Sequence, residues 1–381
     1  MVWNNPAMPG SRTAPAAAER VRPLELFFDL VFVFAITQIA SVLAARPTAR
    51  SLLQVVVLLA VTWWMYGGYA WLTNALDLER TRSRLLLLLG MAGFFVMSLS
   101  VPKVFGPGSW GLVFGCAYLV VVLVHLVGFL GTSGRRGISR IGPLNLLCAL
   151  IVVGSGAAPQ QLRLAVMALA CLVSLVSPFI AGTGGFTVGA GHFVERHSLA
   201  VIIVLGESIV EVGSAASRQT HLVTAVAGPL LALALSAAMW WLYFDRDDRE
   251  SEQLLQDAGD ERRGRVAVYA FGYAYFVVIL GIAVTAVGMQ KTIESFDTPL
   301  RGLQVGLLPL GAAVFLAGLS AFRLALAGSW SGIRAAGAAV VAAAGIPAAA
   351  WGGGWQALTV TTAVLVGLVS TESRLAAGTG G

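Results

Sequence analysis

Two carboxylates near the start of an apolar run are the residues of this sequence most suited to chemistry. Glu25 and Asp29 are four residues apart, which places both side chains on one face of a helix, and Thr37 continues the same row. A charge at bilayer depth costs at least about 2.5–3.5 kcal/mol on insertion scales, so acids there are rare. Two such acids repel each other when both are ionised. We therefore expect one of them to hold a proton, or a cation to lie between them.

A second acidic pair lies just past the middle of the chain. Glu207 and Glu211 are again four residues apart, and residues 199–205 ahead of them are uncharged. Arg196 lies about three turns and 16 Å lower on the same face, too far away to pair with Glu207. We expect Glu207 to be protonated, or compensated by a cation or by a basic group from another helix. His125, in the middle of another apolar run, is one candidate.

A metal site is the alternative use of the polar residues ahead of Glu207. His192, Glu195 and His197 could supply ligands, but their spacing is not that of an HExxH zinc motif. We therefore predict no metal site and no cofactor.

Paired aromatic residues recur at nearly one offset and indicate an internal repeat. Trp63-Trp64-x-Tyr66 returns 177 residues later as Trp240-Trp241-x-Tyr243, and Glu19-Arg20 returns 176 residues later as Glu195-Arg196. Both matches predict two halves of six spans each, residues 1–190 and 191–381, in the same orientation. The aromatic pairs could form the walls of a ligand site, or they could lie in the aromatic belts at the membrane surface.

The composition requires a membrane to position these residues. The chain is 57% hydrophobic and only 12% charged, with a mean hydropathy of +0.81, whereas soluble domains carry about a quarter charged residues. At about 20 apolar residues per crossing, it predicts an all-α polytopic bundle of ten to twelve spans. Residues 1–18 lack the apolar core of a signal peptide, so we expect none to be cleaved. We place twelve spans near 24–45, 52–76, 85–104, 110–131, 141–157, 162–180, 197–215, 221–244, 266–289, 302–322, 333–350 and 355–371.

Loop charges predict the orientation of the spans. With the N-terminus inside, 18 of the 25 Lys and Arg residues lie on the cytoplasmic side, including those of a charged connector at residues 245–265. Seven lie outside: Arg46, Arg50, Lys103, Arg163, Arg218, Lys291 and Arg301. This bias predicts a multi-pass protein of the inner (plasma) membrane with both termini in the cytoplasm.

Two sequence motifs resemble those of a known family. The run from Glu25 to Gln38, Glu-Leu-Phe-Phe-Asp-Leu-Val-Phe-Val-Phe-Ala-Ile-Thr-Gln, resembles the opening signature of the bacterial low temperature requirement A (LtrA) family. His192-x-x-Glu195-Arg196-His197, followed by Val204-Leu-Gly-Glu-Ser-Ile-Val210, resembles the second signature of that family. The resemblance implies a membrane protein over the whole chain. Phe28-Asp29 is also similar to the first-helix motif of the lysosomal potassium-channel family, but it lacks the serine of that motif.

Two classes of function would use these acids, and a sensor or assembly role also remains open from the sequence. The first is a transporter or channel for a small solute or ion. The second is an intramembrane enzyme, in which a buried acid protonates a lipid-like substrate, as in isoprenoid cyclisation, beside aromatic walls. In both, Asp29 and Glu207 would be the working acids. Candidate substrate contacts are Glu25, Thr37, Trp64, His125, Arg196, Glu211 and Trp241. The expected partners are the lipid bilayer and a small molecule or ion, and not nucleic acid.

The predicted orientation can be tested with reporter fusions. Reporters joined after Arg140 and after Arg265 should both report a cytoplasmic location, because both follow arginine-rich segments on the predicted inner side. A fusion after Arg301 serves as the control and should report the opposite side. A periplasmic signal at Arg140 or Arg265 would contradict this orientation.

Overall fold

Twelve long apolar helices make up the membrane part of the molecule. The computed structural model describes residues 21–379 apart from 187, 188 and 246, and this part of the chain contains helices and no strand. The predicted all-α fold and the predicted twelve spans are confirmed. The expectation for residues 1–18 and the Glu19-Arg20 match lie outside the described residues. We number the spans 1 to 12 in chain order: Pro23–Ala45, Ala49–Ala75, Thr81–Lys103, Trp110–Phe129, Arg135–Ala157, Arg163–Ala181, Ala190–Ala216, Leu222–Phe244, Arg262–Glu294, Gln304–Ala327, Gly332–Gly352 and Gly354–Leu375.

The burial of the spans separates central from peripheral helices. Spans 2 and 9 are the most enclosed: 72% of the residues in the apolar stretch of each helix are buried. In span 11 only 22% of the corresponding residues are buried. Large apolar side chains such as Ile180, Leu222 and Trp351 point outwards. Helices satisfy their own backbone hydrogen bonds, so their outer faces can meet lipid directly. Spans 2 and 9 therefore form the interior, where polar side chains can be sheltered from lipid.

Span 7 starts earlier than the sequence predicted. We expected it to begin at residue 197, but the helix begins at Ala190, so Arg196 lies within it and is completely buried. The sequence prediction relied on apolarity alone and therefore placed the start of span 7 after Arg196, the last charged residue before the apolar run. The helix continues through His192 and Arg196 because partners on other spans satisfy these side chains.

Contacts between spans 1 and 7 show that these two helices run in the same direction. Glu25 contacts His192, Asp29 contacts Arg196, and Thr37 contacts Glu207. Residue numbers rise together along both helices, which happens only when the helices are parallel. A repeat of two similarly oriented halves requires this arrangement of its first and seventh spans.

Helix neighbours within the two halves follow one pattern. In the first half, span 1 contacts spans 2 and 3, span 3 contacts span 4, span 4 contacts span 5, span 5 contacts span 6, and span 2 contacts span 6. In the second half, span 7 contacts spans 8 and 9, span 9 contacts span 10, span 10 contacts span 11, span 11 contacts span 12, and span 8 contacts span 12. The division into 1–190 and 191–381 stays a prediction, which this common pattern supports.

The charged connector includes a helix that packs against the bundle. This connector helix, Asp247–Asp257, buries Ser251 and Leu255. Asp247 is also buried and accepts a hydrogen bond from Arg334 of span 11, whose guanidinium also donates to Glu372 of span 12 at 2.8 and 3.0 Å. Burial raises the pKa of Asp247 to about 6, against the opposing effect of the Arg334 guanidinium. The connector helix is thus tied to the last two spans through one buried arginine.

Removing this arginine should destabilise the protein, and more so at high pH. Arg334→Gln leaves Asp247 and Glu372 without their cation, which costs about 3–5 kcal/mol for a buried pair. Burial raises the pKa of Asp247, and loss of the Arg334 guanidinium raises it further, so Asp247 takes up a proton as the pH falls and less uncompensated charge remains at pH 5 than at pH 8. Thermal unfolding of purified protein should show the larger loss at pH 8. Arg323→Gln, at a more exposed pair with Glu250, is the control. An equal loss at both pH values would contradict this assignment.

Candidate functional site

A buried arginine joins three spans. The guanidinium of Arg196 in span 7 donates to Glu25 Oε1 at 3.4 Å and to Asp29 Oδ1 at 3.3 Å, both on span 1. It also donates to the Thr73 hydroxyl and to the Tyr69 carbonyl oxygen, at 3.4 Å, on span 2. Arg196 and Asp29 have no exposed surface and Glu25 has 1%. From the spacing of Glu25 and Asp29 we expected a proton or a cation between the two acids. In the structure, the cation is the side chain of Arg196.

Aromatic rings cover the guanidinium on one side. Arg196 lies 5.3 Å from the ring centroid of Phe28 and 5.7 Å from that of Tyr66, within the range of cation–π attraction. Tyr66 stacks in turn on Phe32, at 4.0 Å between centroids, and on Trp63, at 5.3 Å. These rings exclude water from the ion pairs, so the charges act on one another through a medium of low polarity.

Hydrogen bonds hold the His192 ring from both sides. The Gly189 N–H donates to Asn74 Oδ1, so the amide nitrogen of Asn74 is the atom that faces His192. That nitrogen lies 3.4 Å from His192 Nδ1, and His192 Nε2 lies 3.0 Å from Glu25 Oε2. His192 therefore links Asn74 of span 2 to Glu25 of span 1.

The inner cluster, which we define as Glu25, Asp29, Tyr66, His192 and Arg196, has an uneven charge balance. Two carboxylates face one guanidinium, which leaves one negative charge if neither acid is protonated. Asp29 Oδ2, Tyr66 Oη and Arg196 Nε are buried and make no hydrogen bond of regular geometry to the described residues, but Tyr66 interacts with both Asp29 and Arg196. One proton on either acid would balance the charges of the cluster.

A second group of carboxylates, the outer pair Glu207 and Glu211, lies further along the same contact. The Thr37 hydroxyl is 2.9 Å from Glu207 Oε1 and 3.1 Å from the Val33 carbonyl oxygen. Glu211 follows one turn later, and its buried Oε2 has no hydrogen-bond partner among the described residues. His125 does not compensate Glu207: it donates to the Gly68 carbonyl oxygen instead. That suggestion from the sequence is wrong, because span 4 packs against span 2 and not against the outer pair.

A cavity adjoins the inner cluster on the side of the bundle where span 1 begins. It holds about 750 Å³ of empty space, counting its open mouth, among spans 2, 4, 5, 6, 7 and 9. Six of its aromatic wall residues are Trp63, Trp64, Trp71, Phe129, Phe193 and Phe271. His125, Asn145 and His197 add polar atoms to the lining. We call this space the aromatic cavity.

The predicted site residues fall into three places, and one stands apart. Glu25, Asp29 and Arg196 meet in the inner cluster, Thr37, Glu207 and Glu211 lie further along the same helix contact, and Trp64 and His125 line the aromatic cavity. Trp241 contacts none of these groups: it is 49% exposed and packs against Trp240. Of the two aromatic pairs, only the first therefore contributes to an internal wall.

Sequence reasoning missed the contribution of span 2 to the inner cluster. Tyr66, Tyr69 and Thr73 follow a three-and-four residue spacing, which places them on one helix face. This row was a usable signal for a polar face towards Arg196. Within residues 21–379, apart from 187, 188 and 246, no group of three or more His, Cys, Asp or Glu side chains is placed to hold a metal ion. His192 and Glu195 bond instead to Glu25 and to the Val21 N–H.

Comparisons with known proteins identify similar sequences. The family model described as bacterial low temperature requirement A protein (LtrA) matches residues 20–370. An uncharacterized protein of Rhizobium meliloti (strain 1021), RA0937, is 27% identical over 315 residues, which cover 77% of this chain and 75% of that protein. The region that the family model matches, residues 20–370, contains the inner cluster, the outer pair and the aromatic cavity.

The charge balance of the inner cluster can be tested by stability. Arg196→Gln should lower the thermal midpoint of the purified protein strongly, because two buried acids lose their cation, at a cost of about 3–5 kcal/mol. Arg196→Lys should recover only part of the loss, since one ammonium cannot reproduce the fork of a guanidinium. Adding Asp29→Asn and Glu25→Gln to Arg196→Gln should recover more. Arg218→Gln at an exposed pair is the control, and an unchanged midpoint in Arg196→Gln would contradict the assignment.

Proposed function

The chain belongs to the bacterial low temperature requirement A (LtrA) family, and we propose that it is a transporter whose working groups are the carboxylates between spans 1 and 7. These carboxylates would bind a proton or a small cation in turn, as a small solute or ion crosses the membrane. Asp29 and Glu207 are the central residues of this proposal. Transport is thus assigned to the contact between the two predicted halves.

The observation that carries the proposal is the row of acids along one helix contact. Glu25 and Asp29 lie near the start of span 1, where they contact the start of span 7, and Glu207 and Glu211 lie further along span 7. Acidic residues inside a membrane usually mark ion pathways or proton relays. Placing a charged side chain in lipid costs free energy, so such residues are rare where they have no function. Two acidic stations on one contact would let a cation bind first at one and then at the other.

An apolar stretch separates the two stations. Asp29 and Thr37 are eight residues apart, about 12 Å along the helix axis. Val33 lies between them on span 1, and Ala200 and Val204 are buried on the facing part of span 7. A closed apolar segment between two polar stations is what a transporter requires to prevent a continuous leak. This feature favours a transporter over an open channel.

The hydrogen bonds of Thr37 support a protonated Glu207. A hydroxyl has one proton, yet Thr37 Oγ1 lies within hydrogen-bond distance of two oxygens, those of Val33 and Glu207. If Glu207 carries a proton, it donates to Thr37 while Thr37 donates to Val33, and both bonds form. An ionised Glu207 would leave one of them unmade. The exchangeable proton on Glu207 is the working part of the proposal.

The alternative of an intramembrane enzyme is less well supported. It requires the working acid to face the aromatic wall that holds the substrate. Neither Asp29 nor Glu207 is among the residues that line the aromatic cavity, and Trp240 and Trp241 point out of the bundle. The acids and the cavity are therefore separate features.

Flux measurements in liposomes test the transporter proposal. Wild-type protein should carry protons or a cation across the membrane, and Glu207→Gln should reduce the flux at least about tenfold, because the amide keeps the shape but cannot exchange a proton. Glu207→Asp should keep partial flux, and Asp29→Asn should lose it while inserting normally.

The control for these variants is a matched change on the surface. Glu79→Gln alters a well-exposed acid outside the spans and should leave flux unchanged. Normal yield of Glu207→Gln excludes a folding defect. Full flux in Glu207→Gln would show that the acid is structural, and the absence of flux in the wild type would reject transport.

A further inference from the structure

We propose that the aromatic cavity binds a neutral, largely apolar molecule whose polar end donates a hydrogen bond, such as a long-chain or isoprenoid alcohol. This inference goes beyond the proposed transport, because it concerns an organic ligand and a set of residues that includes none of the acidic stations. It rests on the lining of the cavity, the hydrogen bonds of its two histidines and the π-helical segment in its wall.

The walls of the cavity suit an organic ligand. Among the described residues, no Asp, Glu, Lys or Arg side chain lines it. A small ion would find no counter-charge there, whereas an apolar chain or ring would pack against Trp and Phe surfaces.

The histidines of the cavity present hydrogen-bond acceptors. His125 Nε2 donates to the Gly68 carbonyl oxygen at 3.1 Å, and His197 Nδ1 donates to the Phe193 carbonyl oxygen at 2.8 Å. Neither ring contacts a carboxylate among the described residues, so each is neutral and its second nitrogen is an acceptor. The second nitrogen of His125, Nδ1, is buried and has no hydrogen-bond partner in the part of the chain that the structure describes. A ligand with a hydroxyl would complete this arrangement.

A π-helical segment forms part of the cavity wall. Residues Ala267–Ala274 at the start of span 9 form a π-helical segment, and Phe271 and Gly272 of this segment line the cavity. The Gly272 carbonyl oxygen accepts a hydrogen bond from Trp63 Nε1 at 2.8 Å, which fixes one wall. Interruptions of this kind are rare in helices and are frequent at functional sites. This feature independently marks the cavity as a binding site.

Two adjacent glycines of span 2 allow a precise test. A Cβ on Gly68 would lie 2.9 Å from His125 Nε2, so that position has to stay small. Gly67 also lines the cavity, but a Cβ there would meet no atom within 4 Å. A large side chain at Gly67 can therefore enter the cavity without displacing its walls. Gly367 of span 12 is the matched control, since a Cβ there also meets no atom within 4 Å and it does not line the cavity.

Binding is measured with tritiated farnesol on the full chain in lipid nanodiscs. The wild type should show saturable binding, Gly67→Phe should weaken it at least about tenfold, and Gly367→Phe should bind as the wild type does. Farnesyl methyl ether should compete at least about fivefold less well than farnesol, because the ether cannot donate a hydrogen bond to an imidazole nitrogen.

A histidine variant and the acidic variant complete the test. His125→Phe keeps an aromatic ring but removes the acceptor, so it should reduce the preference for farnesol over the ether. Glu207→Gln should bind farnesol normally, which separates this inference from the transport proposal. The inference is overturned if the wild type shows no saturable binding, if Gly67→Phe binds as the wild type does, or if the ether competes as well as the alcohol.

Discussion

A guanidinium without solvent contact is the constraint on which the membrane core depends. Arg196 cannot stay charged inside the bundle unless other helices supply acceptors, and it obtains them from Glu25 and Asp29 on span 1 and from Thr73 on span 2. These bonds set the relative positions of spans 1, 2 and 7 along the membrane normal. A shift of one residue along either helix would leave a buried charge unpaired. The parallel direction of spans 1 and 7 and the position of the outer pair follow from this fixed register.

A second buried arginine, Arg334, joins helices of the second predicted half. Arg334 is held by acids from the connector helix and from span 12, so it ties a surface element to the last two spans. The two predicted halves have similar helix neighbours but different chemistry: Trp63 is buried against Tyr66, whereas Trp240, its counterpart in the predicted repeat, is 44% exposed. Such a difference in polar groups is expected if the first predicted half contributes most of the proposed ligand site and the second mainly supports it.

The aromatic cavity and the inner cluster share a wall. Trp63 lines the cavity on one side and stacks on Tyr66 on the other, and Tyr66 lies over the Arg196 guanidinium. A ligand in the cavity would therefore be separated from the buried guanidinium by two rings, Trp63 and Tyr66. The cavity and the inner cluster are thus neighbouring but separate sites.

The sequence by itself determined the fold class, the span count and the identity of the acids, since apolar run length and the cost of charge in lipid act locally along the chain. It also placed Glu25 and Asp29 on one face with a need for a cation. Only the tertiary structure decided that this cation is Arg196, that Thr37 is the partner of Glu207, and that His125 belongs to the aromatic cavity. These pairings join residues that are 57 to 171 positions apart. They depend on how the helices pack, which local hydropathy does not encode.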